Sequence, residues 1–264
     1  MFEEADKTVK EDKEESVKKE EAEEKVPKEK PVDKQDFLLV ELTGRLEDTG
    51  EVFETTDEET AKTAVFQPEG RNYGPRVVVV GEGWVLKGLD AGLIGLKVGA
   101  EEKIEVQPED AFGTRDLEKV RMIPYRLLRS KGVTPSLGAQ IEYEGRTAVV
   151  RSMGAGRVQL DYNHPYAGRK LVYNVKILKR FMTEEEKIRA LMTRRFLGFD
   201  AEKFGLKISK KKVSIEVPEE ILYTENLQLV KRGLALDIMR FFEKIEEVSF
   251  SEVIKKEASG EKQS

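Results

Sequence analysis

Short apolar runs separated by turn residues dominate the chain from Phe37 onward. The run FLLVELTGRLEDTGEVFETT predicts a strand, a turn at Asp48, Thr49 and Gly50, and a second strand ending near Phe53, an antiparallel hairpin. DEETAKTA, residues 57–64, predicts one or two helical turns, ended by Pro68, Gly70 and Gly74-Pro75. Val77 to Val80 reads as a buried strand. Between Gly81 and Gly113 turn glycines alternate with apolar segments: residues 86, 89 and 93 mark one side of a short helix, and Lys103 to Val106 a strand stopped by Pro108. Gly88 and Gly92 cost that helix propensity but allow close packing. Four short strands follow, Val120 to Ile123, Gln140 to Tyr143, Thr147 to Ser152 and Val158 to Tyr162, enough for a small antiparallel sheet. Thr183 and Glu186 stand in capping-box spacing ahead of Ile188, Leu191 and Met192, predicting an amphipathic helix. Lys211 to Val217, LQLVKRGLALDIMRFFEKI and Phe250 to Ile254 complete the pattern as strand, helix and strand, and the whole is α+β.

Composition excludes several chemistries. The chain has 264 residues, no cysteine and one histidine, His164, so disulfides, thiolate catalysis, cysteine-ligated zinc and a His-rich metal site are ruled out; no metal and no cofactor are expected. No run approaches the roughly 18 apolar residues of a membrane span, and the N-terminus lacks the order of a signal peptide, which predicts a soluble, cytoplasmic protein without membrane contact. Residues 1–36 carry 14 acidic residues and 9 lysines and almost nothing large and apolar, which predicts a disordered charged tail. Order is expected to begin at Phe37.

The order VELTGRLEDTGEVFETT, GEGWVLKGLDAGLIGLKVGA, PEDAFG and LVYNVKILK resembles the FKBP-type peptidyl-prolyl cis-trans isomerases in spacing and residue type, over about residues 37–181. The segment that separates PEDAFG from LVYNVKILK resembles the insert-in-flap domain of the SlyD-like long members, and the end of the chain resembles the C-terminal extension of long archaeal members. The resemblance implies an antiparallel sheet wrapped on a short helix, formed by residues 37–113 and 162–181. It implies an inserted β domain at 114–161 that binds unfolded chains, and a C-terminal α/β domain at 182–264. The implied activity is isomerisation of X-Pro bonds in unfolded or partly folded polypeptides, with chaperone activity from the insert. A holdase with little turnover is the alternative.

On the same resemblance Phe53, Val85, Leu86, Leu89, Phe112 and Tyr173 line a proline pocket, and Glu54 stands at the family's acidic position. Leu42, Trp84, His164 and Leu171 are expected to contact substrate. Leu42 and Phe112 stand where tyrosine is common, and Leu89 where tryptophan is. A lone histidine invites acid–base chemistry, but amide rotation moves no obligatory proton, so His164 is read as a hinge or hydrogen-bonding residue.

Residues 114–161 hold nine basic and five acidic residues. The basic residues are spread out and no RNA-binding signature accompanies them, which argues against nucleic acid. Open sheet edges with Met122, Ile123, Tyr125 and Leu127 suit an extended polypeptide, added as a strand. Leu227, Leu234, Ile238, Phe241 and Phe242 read as the core face of a helix; left uncovered, that face would support a homodimer through the C-terminal domain.

Overall fold

The computed structural model describes residues 30–64 and 73–254. In chain order it contains β1 (Phe37–Leu46), β2 (Val52–Thr55), α1 (Glu58–Thr63), β3 (Arg76–Val79), α2 (Lys87–Leu93) and β4 (Glu101–Val106). The chain then leaves through β5 (Val120–Pro124), α3 (Tyr125–Ser130), β6 (Gln140–Tyr143), β7 (Arg146–Gly154) and β8 (Arg157–Asp161). It returns as β9 (Leu171–Phe181) and ends with α4 (Glu184–Arg195), β10 (Gly205–Ile208), β11 (Lys212–Val217), α5 (Leu227–Phe241) and β12 (Glu247–Glu252).

β1 organises the first sheet. One of its edges pairs antiparallel with β9 from Phe37↔Phe181 to Leu46↔Leu171, while the other is shared by β3, at Phe37 to Val40, and β2, at Thr43 to Arg45. β4 adds to the far side of β9. Alternation then does the sorting: Leu38, Val40, Leu42 and Leu46 of β1 join Tyr173, Val175 and Ile177 of β9 in one core, with Leu89 and Leu93 of α2. The helix lies very close to β4. A Cβ on Gly88 would fall 2.5 Å from Val106 Cγ1, and one on Gly92 2.5 Å from Ile104 Cγ2, so the two glycines are what let α2 sit there.

The core also reaches further upstream than the sequence implied. Val32 is 2% exposed within it, and Val32 and Leu96 are tied by backbone hydrogen bonds around Gly95, so residues 30–36 are built into the structure and are not tail. An isolated valine among charges gives no periodic signal. The rest of the expected tail, residues 1–29, lies outside the described residues, as do Pro68 and Gly70.

The four strands expected between 114 and 161 form one antiparallel sheet in the order β5-β8-β7-β6, over a small core of Leu128, Tyr143, Ala148, Val150, Val158 and Leu160. The sequence reading missed α3, whose single buried residue, Leu128, is too little for a visible period. Where the chain leaves and returns, Asp161 is 1% exposed and holds both arms. It accepts from Arg115 at 2.9 Å, Arg151 at 3.2 Å and the Asn163 amide at 2.8 Å, while Asn163 also exchanges hydrogen bonds with the Asp116 backbone. Burial pushes the Asp161 pKa up, but these donors more than offset it and the net shift is downward.

The last unit places β10 antiparallel and β12 parallel to β11, with α4 and α5 packed on them. α4 opens with the expected capping box, Thr183 and Glu186 bonding each other's backbone. β10 went unpredicted, being four residues after a glycine-rich turn. Leu227, Leu234 and Ile238 are buried in this unit's own core and Phe241 and Phe242 are half-buried against it, so most of the face on which the homodimer expectation rested is taken up within the chain, while Leu229 and Leu236 of α5 stay exposed. That core also takes in Phe37 and Val79 from the first sheet.

Candidate active site

A local irregularity builds the site. Along the β1–β2 ladder Gly44 pairs with Glu54 and Arg45 with Val52, which leaves Phe53 as an extra residue. A bulge of this kind re-aims a side chain, and here the Phe53 ring meets Tyr173 of β9 at 5.7 Å between centroids, edge to face. Gly44 makes room, because a Cβ there would lie 2.7 Å from Phe53 Cζ and 2.8 Å from Tyr173 Cε1. Glu54, Gly44, Tyr173 and Ile104 occupy one row across four strands, and the Tyr173 hydroxyl reaches along it to donate to Glu54 Oε2 at 3.0 Å. Arg76 of β3 holds the other carboxylate oxygen at 2.5 Å. Burial, then the Glu54 charge, pushes the Tyr173 phenol well above its usual range, so it stays protonated and donating.

Above this floor sits an aromatic wall. Phe112 lies 6.0 Å from Phe53, and Tyr166 packs on both, at 5.4 Å from Phe53 and 5.6 Å from Phe112. Val85 and Leu86, half-buried, pack on the same core. His164 stacks on Phe112 at 4.2 Å with planes 9° apart, and its Nδ1 accepts from the Tyr166 N–H at 3.3 Å. Desolvation lowers its pKa, which favours the neutral ring for such stacking.

Of the residues expected to line the pocket, Glu54, Val85, Leu86 and Phe112 are half-buried and Phe53 is 9% exposed, all around the same core. Leu42, Leu89, Leu171 and Tyr173 are each at most 2% exposed and lie beneath them. Leu42 and Leu171 therefore offer a substrate no surface, because both sit on the inward-facing positions of their strands. Trp84 is elsewhere. It turns to the opposite side of the loop from Val85, packs edge-on against Phe241 at 5.8 Å and lies under the Arg194 guanidinium at 3.9 Å. Tyr166 and Arg76 were missed. Tyr166 stands two residues after His164, and a tyrosine after Asn163-His164-Pro165 was the available signal; Arg76 had none, since its partner is 22 residues away.

In the second sheet β5 is an edge strand, with Met122 49% exposed; Leu127 on α3 is 43% exposed, and Ile123 and Tyr125 are half-buried against the local core. Among the described residues no group of three or more His, Cys, Asp or Glu converges as a metal site, and no helix is long and apolar enough to cross a membrane. A cluster of partly exposed aromatic rings beside one ion-paired carboxylate suits a compact uncharged ring or amide more than a group to be attacked.

Comparison with known proteins gives the arrangement its family. The model of the FKBP-type peptidyl-prolyl cis-trans isomerases matches residues 28–126, that of the FKBP26 insert (IF) domain residues 121–166, and that of the FKBP26 C-terminal domain residues 184–255. The short-type peptidyl-prolyl cis-trans isomerase of Methanocaldococcus jannaschii is 32% identical over 147 residues, which covers 55% of this chain and 92% of that protein. A probable FKBP-type 16 kDa isomerase of Pseudomonas fluorescens is 32% identical over 39% of this chain and 71% of its own length. The isomerase SlyD of Helicobacter pylori is 26% identical over 42% of this chain and 63% of its own length. With one relative matched over nearly its whole length and an insert model matching the segment between β4 and β9, the chain belongs to the FKBP-type peptidyl-prolyl cis-trans isomerases, as a member with an insert in the flap.

Proposed function

We propose that the isomerase acts on unfolded or partly folded polypeptides, that its X-Pro site is the hollow between Phe53, Phe112, Val85 and Leu86, and that the sheet of β5 to β8 captures the client. Rotation about a peptide C–N bond crosses a barrier of roughly 18–20 kcal/mol set by amide resonance, and no bond is made or broken. The two X-Pro isomers differ by only about 0.5–1 kcal/mol yet exchange over tens to hundreds of seconds, so the task is kinetic. The twisted amide has lost resonance and charge separation, while water stabilises the planar, polarised form. A dry aromatic hollow therefore favours the transition state. Glu54, fixed by Tyr173 and Arg76, orients the hollow's edge without taking part in proton transfer.

The observation that supports this reading is that the rings of Phe53, Phe112 and Tyr166, from three distant segments, meet in one cluster at the margin of the first core. The free edge of β5 and exposed Met122 and Leu127 support capture by strand addition, and tethering a client there raises its local concentration at the hollow. The test is a proline-limited refolding reaction beside a short X-Pro peptide assay. Met122→Asp with Leu127→Asp is expected to slow catalysed refolding about tenfold and to spare turnover of the short peptide. Equal loss in both assays refutes a separate capture surface. Aggregation suppressed only at equimolar protein, without turnover of either substrate, would favour a holdase.

A further inference from the structure

The loop from Gly81 to Leu86 has two sides, and they belong to different parts of the molecule. Val85 and Leu86 pack on the isomerase core, while Trp84 between them and Glu82 packs on the C-terminal unit. β3, which leads into this loop, is divided in the same way: Val78 and Val80 face the isomerase core, and Val79 enters the C-terminal one. From the C-terminal side the grip has several parts. Phe241 of α5 meets both Phe37, at 5.1 Å, and Trp84, at 5.8 Å; Arg194 of α4 lies 3.9 Å over the Trp84 ring; Arg240 pairs with the Glu82 carboxylate, which is 13% exposed. From the isomerase side the loop backbone is tied through one residue, Asp90 of α2: Gly81 donates to both its carboxylate oxygens at 3.0 Å, Gly83 to one at 3.4 Å, and its own N–H donates to Leu86 O at 2.8 Å, while Leu86, the N-cap of α2, makes no side-chain cap.

A second route runs alongside. A cleft of about 550 Å³ at the seam is lined by Trp84, Arg194, Leu229 and Arg76. Arg76 is the residue whose guanidinium holds Glu54 on the other face of β3. The seam thus touches the proposed hollow through Val85 and Leu86 and through the Glu54 carboxylate.

We propose that Trp84, Arg194 and Arg240 are positioning residues for the isomerase: the C-terminal unit, gripping the loop through them, fixes Val85 and Leu86 and so sets how well the hollow accepts proline. The proposal rests on the assignment of that hollow as the X-Pro site. It makes the C-terminal unit part of the enzyme's catalytic competence. Because coupling between two sites is reciprocal, filling the hollow must also be felt at the seam.

Trp84 is the chain's only tryptophan, so its emission reports the seam in the intact protein. The experiment compares the full chain with Arg194→Ala/Arg240→Ala, with Phe241→Ala and with Arg194→Lys, each first shown to be folded by circular dichroism. The readouts are emission with and without a short X-Pro peptide, and kcat/KM for that peptide. In the parent, peptide shifts Trp84 emission. In the double variant the resting emission moves to the red, the peptide-induced shift shrinks, and kcat/KM falls about 5- to 10-fold, as loss of a partly desolvated cation–π contact and an ion pair implies. Arg194→Lys, which keeps a cation over the ring, recovers most of the loss; a purely structural role would not produce that recovery together with the peptide-dependent shift. A red-shifted emission with kcat/KM unchanged overturns the proposal, because the seam is then open and the hollow indifferent. Emission unchanged in both the double variant and Phe241→Ala also overturns it, because Trp84 is then not gripped from the C-terminal side. If Phe112→Ala leaves catalysis intact, the hollow itself is misassigned; if Phe112→Ala is impaired and the seam variants are not, only the positioning role falls.

Discussion

Phe112→Ala separates the site from its scaffold. Phe112 is half-buried, stacked on His164 and packed against Phe53 and Tyr166, and the rest of its ring stays accessible. A phenylalanine buries on the order of 150–200 Å² when fully covered, so roughly half of that is left for a substrate to cover. At about 25 cal/mol per Å² this contact is worth about 2 kcal/mol, or a loss of about 30-fold in kcat/KM when the ring is removed. The folded state loses the ring's other half and its edge contacts, about 2–3 kcal/mol. At 10–15 °C, well below the unfolding midpoint, that destabilisation leaves the protein folded, and the deficit in catalysis stands alone. The assay is protease-coupled turnover of an X-Pro tetrapeptide at low temperature, with circular dichroism on the same samples. A folded variant whose kcat/KM stays within about threefold of the parent would refute the assignment of Phe112 to the substrate-facing wall.

Two further outcomes follow from the same geometry. Tyr173→Phe keeps the buried ring and removes only its hydrogen bond to Glu54; since Arg76 still holds that carboxylate, the cost should sit near the low end for a charged partner, about 1.5 kcal/mol, read as a drop of several degrees in the thermal midpoint, and no drop would mean the bond contributes nothing. Asp161 has its pKa lowered in the folded state, so the stability it contributes is complete above the unfolded value near 4 and disappears as pH falls through the lower, folded value. The gap in thermal midpoint between the parent and Asp161→Asn should accordingly narrow as pH falls below about 4, and a gap independent of pH would contradict the role given to Arg115, Arg151 and Asn163.

Much of this was legible from local pattern. The hairpin, the glycine-bearing helix against β4, the four strands of the insert and the capping box of α4 all leave period or punctuation in a short window, and each is present in the structure. The proposed site residues Phe53, Phe112, Val85 and Leu86 were singled out through the resemblance. Burial alone would have assigned them to the core. What escaped is non-local. The bulge that aims Phe53 depends on a register between two strands, the orientation of Trp84 depends on helices that begin a hundred residues later, and Arg76 acquires its meaning only from Glu54 across a sheet. Leu42 shows the converse: it occupies the family's tyrosine position in sequence but carries no hydroxyl, and the hydroxyl of Tyr173, on the same inward face of the neighbouring strand, reaches Glu54.

The central strand pair has a consequence for how the protein is made. β1 can close its long edge only on β9, with Phe37 beside Phe181, whereas β5 to β8 find all their partners among one another in the stretch that lies between. During synthesis from the N-terminus the insert is complete, with its own core, while the sheet that encloses it in sequence still waits for its middle strand. The part of the molecule proposed as a surface for unfinished chains is therefore complete first, and the nearest unfinished chain at that moment is its own.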